Sequence, residues 1–193
     1  MHEAIQTSPL AGALAGLRYV LRVDGRECIL SEMPLQGMLN LRGDAADTMF
    51  AQAVLLHTGL HLPTAANTAS LDAQRQLLWL GPDEWLLKCQ DTSSNIVATA
   101  LRQVLAGRHV ALTDVGHGNA TLCVRGPAAA DLLARGCPLD LHPRAFARGA
   151  VAQTHIAKAG ATVLCLEPGS WFEVTVRRSF ADYLVRWLIS AGD

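Results

Sequence analysis

Lysine is almost absent from this sequence: only Lys88 and Lys158 occur, and the other 14 basic residues are arginines. Charge as a whole is scarce, at 17 % of the 193 residues against about 25 % in an ordinary soluble domain. Net charge is -1, so no basic footprint for nucleic acid exists. Aromatics are few, at 5 %. No run approaches the roughly 20 apolar residues of a membrane span. The apolar run from Leu10 to Leu17 is short and preceded by Glu3, unlike the cationic start of a signal peptide. The five cysteines (Cys28, Cys89, Cys123, Cys137 and Cys165) never form a CxxC pair. That argues against a disulfide framework and against a cysteine zinc site, and fits a reducing cytoplasm.

Nucleotide loops are missing too. Neither GxxxxGK[ST] nor GxGxxG occurs between a strand and a helix. Gly116-His117-Gly118-Asn119 leads into a strand and reads as a turn. No serine sits in a GxSxG elbow. His57 and His61 are four apart, but Gly59 lies between them and the glutamate of HExxH is missing. Asp114 can orient His117, yet no nucleophile accompanies them, and structural hydrogen bonding is the simpler role. His142 reads as a loop residue. Asp83 and Glu84 are neighbours on a turn and face solvent or a partner. The residues name no catalytic, cofactor-binding or metal-binding set.

What is present is apolar: 50 % hydrophobic residues and a mean hydropathy of +0.22. A chain this long buries a core without staples. Two causes fit the composition. One is a coding bias toward Ala and Arg. The other is a surface partly covered by partner chains, since Arg is enriched and Lys depleted at interfaces.

The chain repeats itself. Leu41-Arg42-Gly43-Asp44 matches Val124-Arg125-Gly126-Pro127, and Leu60-His61-Leu62-Pro63 matches Asp140-Leu141-His142-Pro143. Leu78 to Trp85 matches Leu164 to Trp171. Each copy closes on a helical pattern, Ile96 to Leu105 and Phe180 to Ile189. The expectation is one domain of two pseudo-repeats, about 28–107 and 108–193, with residues 1–16 a loosely ordered lead-in. Each unit reads strand, helix, strands, helix, giving an α+β class with helices on mixed sheets. Asp24-Gly25 between two β-rich runs predicts a leading hairpin. Asp44 is the expected cap of the first helix, with Asp47 in its opening turn. Trp85 and Trp171 are expected at equivalent places beneath their proline turns.

The C-terminal pattern carries an apolar stripe of Phe180, Leu184, Trp187 and Leu188, with a second of Ala181, Val185 and Ile189. Arg177, Arg178 and Arg186 lie nearby. Either this helix is sandwiched within the domain, or it docks a partner, with Arg177, Arg178 and Trp187 as contact residues.

The runs Asn40-Leu41-Arg42-Gly43-Asp44, Leu78 to Leu87, Leu112 to Gly118, Gly136 to Phe146 and Val176 to Phe180 carry a resemblance. Over residues 28–190 the chain resembles the gamma subunit of heterotetrameric sarcosine oxidase. The resemblance implies a folate-binding-domain-like fold of the aminomethyltransferase type. It implies a non-catalytic subunit of a complex that demethylates sarcosine oxidatively to glycine. The products of that complex are hydrogen peroxide and formaldehyde or methylenetetrahydrofolate. The partners implied are alpha, beta and delta subunits, with no nucleic acid and no membrane. FAD, FMN, NAD, zinc and tetrahydrofolate are expected on those other subunits and none in this chain. The alternatives are an independent folate-dependent aminomethyltransferase-like protein and a generic interaction domain.

Overall fold

Asp24 and Gly25 both have positive φ, 50° and 77°, as a two-residue type I′ turn demands. They join β1 (Arg18–Val23) to β2 (Arg26–Glu32) in antiparallel register, Val23 opposite Arg26. The computed structural model describes residues 8, 10, 18–90 and 93–192. The expected lead-in over 1–16 lies outside the described residues except for Ser8 and Leu10, and Leu10 is fully buried.

After the hairpin come β3 (Gly37–Arg42), α1 (Thr48–Thr58), β4 (Ala69–Leu71), β5 (Arg75–Gly81), β6 (Glu84–Cys89) and α2 (Ser94–Val104). The second half follows with β7 (Ala111–Asp114), β8 (Asn119–Arg125), α3 (Ala129–Ala134), β9 (Val151–Ile156), β10 (Ala159–Glu167), β11 (Trp171–Arg177) and α4 (Ala181–Gly192). The class is α+β, as the order of elements predicted. Among the described strands every pairing is antiparallel, where mixed sheets were expected. In the first sheet β3 pairs with β6 and in the second β8 pairs with β11, and the strands between each pair in sequence form a meander. No two neighbours are therefore joined by a parallel crossover.

The first sheet runs β4-β5-β6-β3-β7 and the second β1-β2-β8-β11-β10-β9. Sheet membership does not follow the 107/108 boundary. β2, which leads the first half, pairs with β8 in the second sheet, and β7, which leads the second half, pairs with β3 in the first. Each half lends its leading strand to the other.

Alternation along β6 and β11 builds four layers. Trp85, Leu87 and Cys89 point to α1 and α2, beside Phe50, Val54, Val97 and Leu101. Phe172, Val174 and Val176 point to α3 and α4, beside Leu132, Leu133, Leu184, Val185 and Leu188. The opposite faces meet in a thin layer of Met38, Leu78, Leu86, Val151 and Leu164.

The cap of α1 is Asp47, whose Oδ1 accepts from the Met49 amide at 2.9 Å. Asp44 instead holds the preceding turn by accepting from the Ala46 amide at 2.8 Å. The helix ends on Gly59 at φ 75°, whose N–H donates to the Leu55 carbonyl at 2.8 Å.

The two tryptophans are not equivalent. Leu41 faces Trp85 across β3 and β6, and Val124 faces Phe172 across β8 and β11. The partner of Trp85 is therefore Phe172, while Trp171 matches Glu84. The cause is one extra residue in the second hairpin: Gly81 pairs with Glu84, but Glu167 pairs with Trp171. A one-residue slip turns a side chain to the other face. Trp85 is fully buried 5.7 Å from Phe50, its Nε1–H donating to the Pro63 carbonyl at 2.8 Å. Phe172 is fully buried against Phe146. Trp171 lies on the inter-sheet face under the Arg125 guanidinium, 4.5 Å from its ring centre.

Candidate functional site

The sheets part at one end of their shared layer and leave a cleft of about 370 Å³. Its polar lining includes Asn40 of β3, Glu84 of β6, Gln153 of β9, Thr162 of β10, and Thr175 and Arg177 of β11. β3 and β6 are paired, with Asn40 opposite Leu86 and Arg42 opposite Glu84, so these side chains share the inner face. The Glu84 carboxylate accepts from Asn40 Nδ2 at 2.8 Å and from the Arg42 guanidinium at 2.5 Å. Gln153 Nε2 donates across the cleft to the Leu80 carbonyl at 2.7 Å. The charge of Glu84 is met by Arg42, and these amides hold the walls in place.

Deeper in the same layer lies a buried ion pair. Lys88 Nζ is 2.5 Å from Glu173 Oε2, and both side chains are 1 % exposed. Gln76 Nε2 donates to Glu173 Oε1 at 2.9 Å. Lys88 and Gln76 belong to the first sheet and Glu173 to the second, so the contact clamps the halves together. The Thr121 and Thr175 hydroxyls, 3.1 Å apart, are buried nearby. Sequence reading missed this cluster. Its signal was a lysine in the apolar run Trp85-Leu86-Leu87-Lys88-Cys89 of a chain that otherwise prefers arginine. The matching glutamate stands in Trp171-Phe172-Glu173-Val174. A charged residue at an inward position of each strand signals a pair.

The histidines separate. His57 ends α1, where the Arg75 guanidinium donates to the Thr58 carbonyl at 2.9 Å, and His61 lies exposed beyond the helix. Among the described residues no three His, Cys, Asp or Glu side chains converge as metal ligands would. Asp114 Oδ1 accepts from the Gly116 amide at 2.9 Å, so its carboxylate shapes the turn that carries exposed His117. His142 Nδ1 accepts from the Arg144 amide at 3.2 Å and holds its loop.

All five cysteines are buried, and none is joined in a disulfide. Burial pushes the Cys28 thiol up to about 11, with a smaller push from neighbouring Cys123. Burial also raises Cys165 to about 11, aided by Glu167, and raises Cys123. These thiols are core groups rather than nucleophiles.

Arg177 and Arg178 are exposed at the end of β11 and in the turn before α4. Arg177 lines the cleft, and with Arg178 and His117 it borders a shallow basin at the cleft mouth. Trp187 is elsewhere and inward. Its ring covers Gly136, so closely that a Cβ there would sit 2.3 Å from it. With Leu184, Val185 and Leu188 fully buried, α4 is sandwiched within this chain. Trp187 thus packs on Gly136 within this chain, with its ring partly exposed.

The model of the sarcosine oxidase, gamma subunit family matches residues 42–193. The sarcosine oxidase subunit gamma of Corynebacterium sp. strain U-96 is 31 % identical over 188 residues, 97 % of this chain and 90 % of that one. The chain belongs to the sarcosine oxidase gamma subunit family. A chain of the heterotetrameric sarcosine oxidase from Corynebacterium sp. U-96 superposes with a TM-score of 0.85 at 28 % identity. That match covers 96 % of this chain and 94 % of the other. The gamma-subunit fold is shared more widely. Glycine cleavage system aminomethyltransferase T from Bartonella henselae gives a TM-score of 0.60 at 14 % identity, covering 82 % of this chain and 44 % of that one. The aminomethyltransferase-like fold expected from the sequence is therefore present. Among the described residues no helix is long and apolar enough to cross a membrane.

Proposed function

We propose that this chain is a non-catalytic, structural subunit of a heterotetrameric sarcosine oxidase. The complex demethylates sarcosine oxidatively to glycine, with hydrogen peroxide and formaldehyde or methylenetetrahydrofolate as products. The observation that carries this reading is a match along nearly the whole chain, in sequence and in fold, to a gamma subunit and to a chain of such an enzyme. The partners are the alpha, beta and delta subunits, and the complex works in the cytoplasm. FAD, FMN, NAD, zinc and tetrahydrofolate reside on those partners. The interior of this chain supports a structural role, because its one cleft carboxylate is held by Arg42 and its thiols are buried. The corresponding orders β4-β5-β6-β3 and β9-β10-β11-β8 in the two sheets support a single domain made by internal duplication. Arg177 and Arg178 supply charge for partner carboxylates at the rim.

The test is co-expression of all four subunits, with and without this chain. The expected result is a four-subunit complex that turns over sarcosine, lost or depleted of partners when this chain is omitted. The purified chain alone is expected to show neither turnover nor a flavin absorbance band. Calorimetric binding of tetrahydrofolate at micromolar affinity or better by the isolated chain would instead support the aminomethyltransferase-like alternative.

A further inference from the structure

The two outer helical layers share one architecture and differ in charge. On the α3/α4 side, Asp131 meets Arg26 at 2.7 Å and Asp182 meets Arg186 at 2.8 Å. Such pairs are what a solvated helix face carries. On the other side, α1 (Thr48–Thr58) contains no Asp, Glu, Lys or Arg at all. α2 contains Arg102 alone, and its guanidinium is turned onto the Leu112 carbonyl at 3.1 Å, at the sheet edge. Seven large hydrophobic side chains are exposed among the described residues, and four of them stand on these two helices. They are Met49 (43 %), Leu56 (77 %), Ile96 (74 %) and Val104 (44 %). Between them Gln52, Thr99 and Gln103 are exposed and uncharged. The nearest ion pair, Arg108 with Asp47 at 2.6 Å, sits at the N-terminal end of α1. An apolar, charge-depleted centre with charge only at its edge is the composition of an interface core.

We propose that the outer face of α1 and α2 is the docking surface of this subunit, and that its occupant is a different subunit of the same oxidase. This rests on the subunit reading above. The occupant must present an uncharged, apolar patch, because a carboxylate or ammonium buried against Leu56 or Ile96 finds no counter-charge. Area decides against a second copy of the chain. Two 11-residue helices, each about 16 Å long and about 9 Å apart, present a face of about 300 Å². Two copies meeting on it bury about 600 Å² in all, half of the roughly 1,200 Å² at the lower end of stable interfaces. A partner that reaches past the helices onto the surrounding loops supplies the rest. Notably, the docking stripe is not the C-terminal helix that the sequence singled out, since α4 uses its apolar sides within this chain.

The experiment places a charge on each outer layer and reads assembly with the co-expressed alpha, beta and delta subunits. Leu56→Glu and Ile96→Glu charge the proposed surface, and Ser190→Glu charges the exposed side of α4. Far-UV circular dichroism of each full chain checks the fold. Should the glutamates unfold it, Leu56→Gln and Ile96→Gln carry the same test. Loss of a central hot spot lowers affinity about 30-fold or more. The expected result is that loss for the Leu56 and Ile96 variants, with Ser190→Glu assembling like wild type. Wild-type assembly by the Leu56 and Ile96 variants overturns the proposal. So does equal weakening by Ser190→Glu, or a wild-type homodimer that Leu56→Glu disperses. Failure of the wild-type chain to join the complex overturns the subunit reading, and the docking surface with it.

Discussion

Replacing Glu173 by leucine leaves the Lys88 ammonium inside the inter-sheet layer with no carboxylate. Both side chains are 1 % exposed, so water cannot take over the solvation. Breaking a buried pair from one side typically costs about 3–5 kcal/mol, because the remaining charge is uncompensated. For a domain of nearly 200 residues each kcal/mol moves the melting temperature by about 2–4 °C. The single variant should therefore melt about 6–20 °C below wild type. Removing both charges reverses most of that loss. The double variant Lys88→Met, Glu173→Leu fills similar volume with apolar atoms, and such exchanges are commonly neutral or stabilising by about 1–4 kcal/mol. Gln76 loses its acceptor in both variants, which offsets part of the gain. Urea unfolding of wild type, the two single variants and the double gives the coupling energy directly. A Glu173→Leu chain that melts within 2 °C of wild type would refute the reasoning, as it requires the ammonium to be stranded.

Two further outcomes follow from the packing. Gly136→Ala drives a methyl group into the Trp187 ring, 2.3 Å away, and should cost about 1–3 kcal/mol. Adding Trp187→Leu to it should recover part of the loss, and additive losses in thermal melts would place the ring elsewhere. Iodoacetamide should label the folded chain slowly at neutral pH. For Cys28 and Cys165 the thiolate forms only as pH rises through about 11, above the ordinary 9.0. Mass spectrometry showing either thiol alkylated at pH 8 as fast as in urea would contradict their burial.

Features set by short-range chemistry were legible in the sequence. Asp24-Gly25 named its hairpin because only positive φ at both positions lets a two-residue turn match the twist of its strands. The helices α2 and α4 declared themselves through apolar spacing. The repeat was readable through Arg42-Gly43 and Arg125-Gly126, and both glycines admit no Cβ: it would meet the Phe50 ring at 2.9 Å or the Glu27 carbonyl at 2.6 Å. Features that depend on how distant segments meet were not legible. A one-residue difference between hairpins moved Trp171 to the opposite face from Trp85, which no local pattern encodes. The stripe of α4 looked like spare apolar surface because α3 and the first hairpin, which cover it, lie far away in sequence. Lys88 and Glu173 are 85 residues apart and become a pair only when two sheets stack. The cleft carboxylate Glu84 looked like a turn residue until β3 brought Asn40 and Arg42 alongside.

The loan of leading strands between halves sets a timetable for synthesis. β2 ends at Glu32, and its neighbour β8 is complete only at Arg125, about 90 residues later. At about 5–20 residues per second, the ribosome leaves the first hairpin without that neighbour for roughly 5–20 s. Throughout that interval Cys28 and Leu30, destined for a fully buried core, have no second sheet to enter. The first sheet, too, lacks its last edge strand until Asp114 has emerged. A nascent chain halted between those points therefore displays an open, apolar β edge, the kind of surface that chaperones hold and that neighbouring nascent chains pair with.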